Sequence, residues 1–334
     1  MLDINFVREN ADVVKASEKK RGHAPEKVDE VLKLDQDWKR ELKVMEELNH
    51  KRNVVSQEIN QSKKSGNSSL ADKKIKEMRQ VIDTIKNQED KATELLKKRN
   101  LVLASIGNVL HESVPKGKDD SENEEIKKVG KIPKFDFPIK DHIELGLELD
   151  IIDLDTAAKN SGARFYYLKN EGALLSLALQ RFAIDRILAK KYSLISTPVM
   201  LNRAALEGGV NLSEFEDTIY KIENEDLYLI GTSEHPLVAL RKDQILEEKE
   251  LPIKICGVSP CFRKELGSHG RDDKGIFRVH QFNKIEQIVY CKPEDSYKYF
   301  EELQKNSEEL FKELDIPFRV VRICTGDIGN KQAL

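Results

Sequence analysis

The sequence predicts an α+β protein: an N-terminal antiparallel helical hairpin, a coiled-coil arm, followed by a mostly antiparallel β-sheet domain flanked by helices. Three observations carry this. From about Pro25 to His111 the chain is highly charged, free of proline after Pro25, and apolar at heptad spacing in two separate runs. After Asp141 the composition turns globular, with short strand-like stretches joined directly or through irregular loops. No GxGxxG, P-loop or HExxH pattern occurs, so a Rossmann fold is not indicated.

The first heptad run is Val28, Val31, Trp38, Leu42 and Met45, less regularly Val55 and Ile59. The second is Ile75, Met78, Ile82, Ile85, Ala92, Leu96, Leu103 and Ile106, and Lys63–Ser69 between them is a breaker cluster that turns the chain back. Each helix would reach about 50–60 Å at ~1.5 Å per residue. Asp35, Asn49, Arg52, Glu89 and Arg99 fall on expected apolar positions. Residues 113–138, rich in lysine, acids and proline, read as a linker between an arm at 1–112 and a globular domain at 139–334. In that domain Gly172–Lys191 is an amphipathic helix with Leu175, Leu179, Phe182, Ile187 and Leu188 inward. Strands are expected at Tyr192–Thr197, Leu227–Ile230, Ile253–Cys261, Gly275–Phe282, Ile285–Cys291 and Phe318–Cys324. A helix from Pro293 to Leu314 turns Tyr297, Phe300, Leu303, Leu310 and Phe311 to the core.

The 334 residues are 34% charged with a net charge of -3, so any basic surface is local. The mean hydropathy of -0.55 fits a protein solvated over much of its length. Cys256, Cys261, Cys291 and Cys324 form no CxxC, and no stretch approaches ~20 apolar residues; reduced thiols and a cytoplasmic location with no membrane span are expected. The arm suits either a dimerisation or spacer coil, or a device reaching an extended polyanion, with Lys39, Lys63, Lys64, Lys73, Lys76 and Arg79 among its cations. Charge pattern alone does not choose between them.

The most informative residues are Phe262-Arg263-Lys264-Glu265 and Arg278-Val279-His280-Gln281-Phe282-Asn283-Lys284-Ile285-Glu286. If both stretches are strands, Arg263 and Glu265 share a face, as do Arg278, His280, Phe282, Lys284 and Glu286. Unpaired charge is too costly for ordinary core. A face of guanidinium, ring and carboxylate suits a nucleotide, with phosphate, base and amines as its partners.

With Ser161-Gly162-Ala163-Arg164-Phe165, Thr197-Pro198 and the Thr232-Ser233-Glu234 loop, these residues make the chain resemble the seryl-tRNA synthetases, a class II aminoacyl-tRNA synthetase family, over nearly its whole length. The family usually shows Thr-Ala-Glu at the last of these. The resemblance implies activation of L-serine with ATP and Mg²⁺ to seryl-adenylate, then transfer to the 3′ end of serine tRNA, extending to selenocysteine tRNA. It implies that Arg263 holds the α-phosphate and serine carboxylate, and Arg278 the distal phosphates with His280 nearby. Phe282 would stack on adenine, Glu265 would accept from its amino group, and Lys264 and Val279 would complete the ATP-binding stretch. Thr232, Ser233, Glu234 and Glu286 would surround serine. His269, Arg271 and Lys274 would approach the tRNA acceptor end, Pro198 would lie at a homodimer interface, and the hairpin would grip the tRNA variable arm.

No segment matches the family's third motif, whose arginine and metal-holding acids would lie past Leu334. The expectation is therefore a chain incomplete at its C-terminus and not competent alone, with no metal ligand identifiable. Other readings are a non-catalytic tRNA-binding relative and a synthetase-like amino acid:carrier-protein ligase. The intact Arg263, Arg278, Phe282 and Glu286 set weighs against the first, the long hairpin against the second. A pure coiled-coil scaffold leaves 141–334 unexplained.

Overall fold

Two short helices precede the heptad runs. In α1 (Ile4–Glu9) the Asp3 side chain caps the N-terminus by accepting from Asn5 N (2.7 Å). In α2 (Ala11–Arg21) Gly22 closes the C-terminus at φ 81°, a left-handed conformation open to glycine. The heptad runs form α3 (Glu26–Lys64) and α4 (Ser68–Ala104), the expected hairpin. Val7 and Val14 of the short helices pack with Val28, Val31, Leu103 and Ile106 into one core at its base. The structure is a computed structural model and describes residues 2–65, 67–210, 212, 216–265 and 275–334. Gly66 in the breaker cluster and His269, Arg271 and Lys274 lie outside the described residues.

Two of the polar interruptions of the seam, Asp35 and Arg99, partner each other. Asp35, 2% exposed, takes both Arg8 Nε (2.8 Å) and Nη2 (2.7 Å), and also Arg99 Nη1 from the facing helix (3.0 Å). Arg99 lies 4.8 Å from the centroid of Trp38. Burial opposes ionisation of Asp35, but the Arg8 and Arg99 guanidiniums outweigh it and hold the carboxyl below its usual range. Farther along, Lys91 reaches Glu41 across the pair (2.9 Å), and Lys74 joins Glu58 (2.8 Å) to Glu77 (3.2 Å). One seam position differs from expectation: Ile82 faces outward and Val81 is buried, because Val81, Ile85 and Ala92 keep the row that faces α3.

The compact units divide differently from the expected domains. One comprises 1–126 with 320–334, and the other 127–319. Within the first, Arg21 binds the carbonyls of Gly329 (3.1 Å) and Gln332 (2.6 Å), and His111 N donates to Ala333 O (2.8 Å), so the last residues group with the hairpin base. The expected linker carries a strand, β1 (Glu124–Val129).

In the second unit, α5 (His142–Glu148) opens with a capping box between Asp141 and Glu144. Two-residue strands β2 (Ile152–Asp153) and β3 (Tyr167–Leu168) pair antiparallel around α6 (Asp155–Ser161). Helix α7 (Asn170–Leu188) then leads to β4 (Ser193–Ser196). After β5 (Met200–Leu201), α8 (Arg203–Gly209), β6 (Tyr228–Leu229) and a helix at Glu234–Ala239 come the two long strands, β7 (Ile253–Phe262) and β8 (Gln281–Tyr290). The main sheet runs β4-β7-β8, with β4 parallel and β8 antiparallel to β7. The Ser296–Glu313 helix follows, and β9 (Phe318–Arg322) is outside this sheet.

Alternation gives each sheet face its own role. Cys256, Ile285 and Val289 face Ile187 and Leu188 of α7 and Leu303 and Leu310 of the Ser296–Glu313 helix. Gly257 faces Leu237, whose Cδ1 would lie 2.5 Å from a Cβ there, so glycine is needed for the Glu234–Ala239 helix to pack closely. Three sequence expectations change. Leu175 and Leu179 of α7 are exposed, as are Leu174 and Leu177 (65% and 62%), because α7 meets the sheet through Ile187 and Leu188. Tyr299 is buried where Tyr297, Phe300 and Phe311 were expected, packed over Lys254 (5.3 Å), which also binds Glu302 (2.8 Å). The expected strand from Gly275 does not form: β8 begins only at Gln281 and then runs unbroken through Tyr290.

Asp35→Ala should destabilise the hairpin base by about 3–5 kcal/mol, because it leaves Arg99 buried without its carboxylate. Urea unfolding followed by helical circular dichroism measures it. A loss below ~1 kcal/mol would place Asp35 with exposed pairs and refute its role as a keystone.

Candidate active site

Residues facing each other across an antiparallel ladder share a sheet face. Cys261 pairs with Phe282, Ser259 with Lys284 and Gly257 with Glu286. Phe282, Lys284 and Glu286 therefore line up on the face opposite α7, the side from which Leu237 packs. Thr232, Ser233 and Glu234 begin the helix packed there. Ser233 is fully buried, with its hydroxyl 2.8 Å from Ser259 Oγ and donating to Lys284 O (3.2 Å), so it pins the loop to the sheet.

Arg263 reaches the same face from beyond the end of its strand. The ladder opens just past Phe262. Arg263 N still donates to His280 O (2.9 Å), but His280 N turns to Arg164 O (3.1 Å) and Lys264 N to Thr218 O (2.9 Å). Glu265 then takes φ 46°, unusual for a side-chain-bearing residue, and Arg164 donates to its carbonyl. Arg263, Lys264, Glu265, Arg278, Val279 and His280 thus lie beyond the strand ends, which corrects the alternating-face expectation for them.

Arg263 Nε donates to Gly231 O (2.9 Å), and its guanidinium carbon lies 5.3 Å from the Phe282 ring centroid. Arg278 Nη1 binds Glu265 Oε2 (3.1 Å). His280 sits between the rings of Phe165 (5.0 Å) and Tyr220 (6.3 Å). Its Nδ1 is 2.9 Å from the Arg263 carbonyl, which only accepts, so Nδ1 carries the proton. Lys264 lies over Tyr220 (6.0 Å), and Val279 is buried, so its side chain packs.

A polar cluster lies beside Arg263. Lys284 Nζ is 2.7 Å from both Thr232 Oγ1 and Glu286 Oε2, and Thr232 Oγ1 donates to Glu286 Oε2 (3.3 Å). Burial, with Glu286 adding to it, pushes the Glu234 carboxyl up. Burial, with the Arg263 and Lys284 charges adding to it, pushes His235 down to about 4. Sequence reasoning gave no role to His235, Lys284, Arg164 or Tyr220; of these, Lys284, on the expected face with Phe282 and Glu286, and Arg164, inside the quoted Ser161–Phe165 stretch, left a signal there. Among the described residues no group of three or more His, Cys, Asp or Glu could hold a metal ion, and no helix is long and apolar enough to cross a membrane. The four cysteines are unpaired thiols.

Residues 1–110 match the seryl-tRNA synthetase N-terminal domain, and 216–333 match the class II tRNA synthetase core domain (G, H, P, S and T). A serine–tRNA ligase from Methanoregula boonei is 48% identical across 100% of this chain and 78% of its own length. The chain belongs to the seryl-tRNA synthetase family. The crystal structure of seryl-tRNA synthetase from Pyrococcus horikoshii complexed with ATP superposes with a TM-score of 0.83 at 44% identity, covering 99% of this chain and 78% of that one. Cytoplasmic serine–tRNA ligase from Naegleria fowleri in complex with AMP gives 0.80 at 35% identity, covering 99% and 77%. The family is one of aminoacyl-tRNA synthetases, and its activity is serine–tRNA ligation.

Neutral His235 makes stability pH-dependent. The unfolded chain binds a proton near pH 6.5 that the folded chain refuses until about 4, so stability is full above 6.5 and falls as pH drops towards 4. The loss should be on the order of 3 kcal/mol. Urea unfolding of His235→Asn at pH 7, 5.5 and 4.5 should show a flatter profile than the parent; parallel profiles would refute this.

Proposed function

We propose that the ladder face is the wall on which serine is activated with ATP. The observation that carries it is the meeting of Arg263 and Phe282 with Thr232, Lys284 and Glu286 on one face of β8, in a chain of this family. A serine carboxylate oxygen attacks the α-phosphorus of ATP, the bond to the pyrophosphate oxygen breaks, and pyrophosphate leaves. The 3′-terminal ribose hydroxyl of tRNA then attacks the seryl carbonyl and AMP leaves. Negative charge builds on phosphate oxygens in the first step, which fixed cations stabilise without reorganising.

Phe282 presents a ring to adenine, and Arg263, lying over that ring, reaches the α-phosphate and serine carboxylate. Arg278 is held by Glu265. On ATP binding the pair opens, Arg278 taking distal phosphates and Glu265 the adenine amino group. Lys264 and Val279 hold the backbone of this edge. Thr232, Glu234 and Glu286 receive the serine ammonium. Mg²⁺ would arrive with the ATP phosphates, where it neutralises their charge; no described acid cluster offers it a separate seat. Unpaired thiols suit the cytoplasm.

The hairpin is the tRNA-binding element. Supporting this, Lys63, Lys64, Lys73, Lys76 and Arg79 are exposed around its turn, while Glu58 and Glu77 are engaged by Lys74. A row of cations on a rigid coil reads backbone and shape rather than bases. A second copy of the chain covers α7: Leu174, Leu175 and Leu177 of that helix are exposed, as are Leu194 and Met200, close to Pro198 in sequence, more apolar surface than a solvated helix carries.

Two binding measurements test the reading. Phe282→Ala should weaken ATP binding in equilibrium dialysis about tenfold, the size of one lost base–ring stack. Serine tRNA binding should fall linearly in log affinity with log salt. ATP affinity indifferent to both Phe282→Ala and Arg278→Ala, or a flat salt response, would sink the corresponding half. For the dimer, light scattering should give twice 38.3 kDa for the parent and 38.3 kDa for the Leu174→Asp/Leu177→Asp variant; an unchanged mass would exclude this face.

A further inference from the structure

We infer that Lys284 competes with the amino acid's α-ammonium for one set of acceptors, and that binding exchanges one ammonium for the other. The inference rests on the amino-acid site proposed above. It assigns a selectivity role to a lysine that sequence reasoning left without one.

The hydrogen-bonding capacity of Thr232 sets the competition. A hydroxyl has one proton to give and two lone pairs to offer. Thr232 Oγ1 gives its proton to Glu286 Oε2 (3.3 Å) and accepts from Lys284 Nζ (2.7 Å) and from the Glu234 backbone N–H (3.3 Å). Its capacity is full. The Glu234 N–H is fixed by the helix it begins, so only Lys284 can yield. The same Nζ holds Glu286 Oε2 at 2.7 Å. A substrate ammonium needs these oxygens, and two ammoniums sharing one hydroxyl and one carboxylate oxygen repel each other.

Lys284 is able to move. Its side chain is 34% exposed and ends a flexible four-carbon stem, whereas the acceptors are fixed, Thr232 by its buried neighbour Ser233 and Glu286 by the ladder pair with Gly257. Glu286 ties the competition to net charge. With Glu234 nearby, two carboxyls face the one Lys284 cation, and burial and Glu286 both push Glu234 towards its neutral form. A zwitterion repairs both sides of the exchange, because its ammonium replaces Lys284 on the oxygens and its carboxylate offers the displaced lysine a partner. An amine without a carboxylate must displace Lys284 and leave it unpaired. A hydroxy acid has no ammonium to displace it with.

The test is isothermal titration of the full chain and Lys284→Met with L-serine, L-serinamide and glycerate. Serinamide should bind Lys284→Met about tenfold or more tightly than the parent, a change of ~1.4 kcal/mol. Glycerate should bind neither. Serinamide affinity equal or weaker in Lys284→Met would overturn the exchange and make Lys284 a supporting ligand, while leaving the site reading intact. Serinamide binding to Lys284→Met that survives an added Glu286→Gln change, or no binding of serine or serinamide to either protein, would overturn the site reading and the exchange with it. A second measurement on the parent alone guards against a folding defect in the variant. Acetic anhydride labelling of Lys284, read by mass spectrometry relative to exposed Lys131, should rise severalfold when L-serinamide saturates the chain, and unchanged or reduced relative labelling under saturation would overturn the exchange.

Discussion

Charge taken out of water must find a partner, and this constraint shapes both units of the chain. At the hairpin base, Asp35 lies where a heptad calls for an apolar side chain, and two arginines from different helices converge on it. Removing any one of the three strands the others in a region of low dielectric, so the arrangement specifies which helices meet and at what level. A purely apolar seam could slip by a heptad with little penalty. An acid that must meet Arg99 cannot, because a slip of one heptad moves the partner about 10 Å along the helix.

The same constraint organises the site. The ladder between β7 and β8 brings Phe282, Lys284 and Glu286 to one face and sends Ile285 and Val289 to the other, where α7 packs. Such a face tolerates charge only because Lys284 and Glu286 neutralise each other and Thr232 joins them. Arg278 and Glu265 do the same at the ladder's open end. Each cation proposed to meet phosphate or carboxylate is thus already supplied with an oxygen partner. Under the proposed exchange, substrates would gain their selectivity by replacing those partners group for group, because a ligand lacking one group would leave a charge without its partner.

Much of this was legible in the sequence, for physical reasons that differ by region. Heptad spacing and a breaker cluster are local, so α3 and α4 could be read directly from Val28 to Ile106. The short helices α1 and α2 could not, since Val7 and Val14 are buried only because Val28, Val31, Leu103 and Ile106 lie over them. On β8 the period of two placed Phe282, Lys284 and Glu286 correctly on one face, because that stretch is paired throughout. Extended backwards through Arg278 and His280 it failed: β8 begins only at Gln281, His280 N bonds outside the ladder to Arg164 O, and nothing in the alternation announces where pairing stops. The leucines of α7 show a different limit. Helical periodicity reports an apolar face, but not whether the same chain or another covers it, and Leu174 and Leu177 lie outside this chain's own core.

The opening of the ladder just past Phe262 suits what the proposed site must do. A strand pair continued through Arg263 and His280 would fix those side chains as cross-strand partners on one face, with Arg278 two residues away from His280 along the same rigid pleat. With pairing released, Glu265 adopts its left-handed turn, and Arg278 comes within 3.1 Å of it. In the proposed site, rigid ladder residues hold the ring and Glu286, groups whose positions would stay fixed from one substrate to the next. The segments just past the ladder hold Arg278 and Glu265, the groups proposed to exchange one partner for another as phosphate and base arrive. Fixed and exchangeable contacts are separated along the chain at the residue where the hydrogen-bond ladder ends.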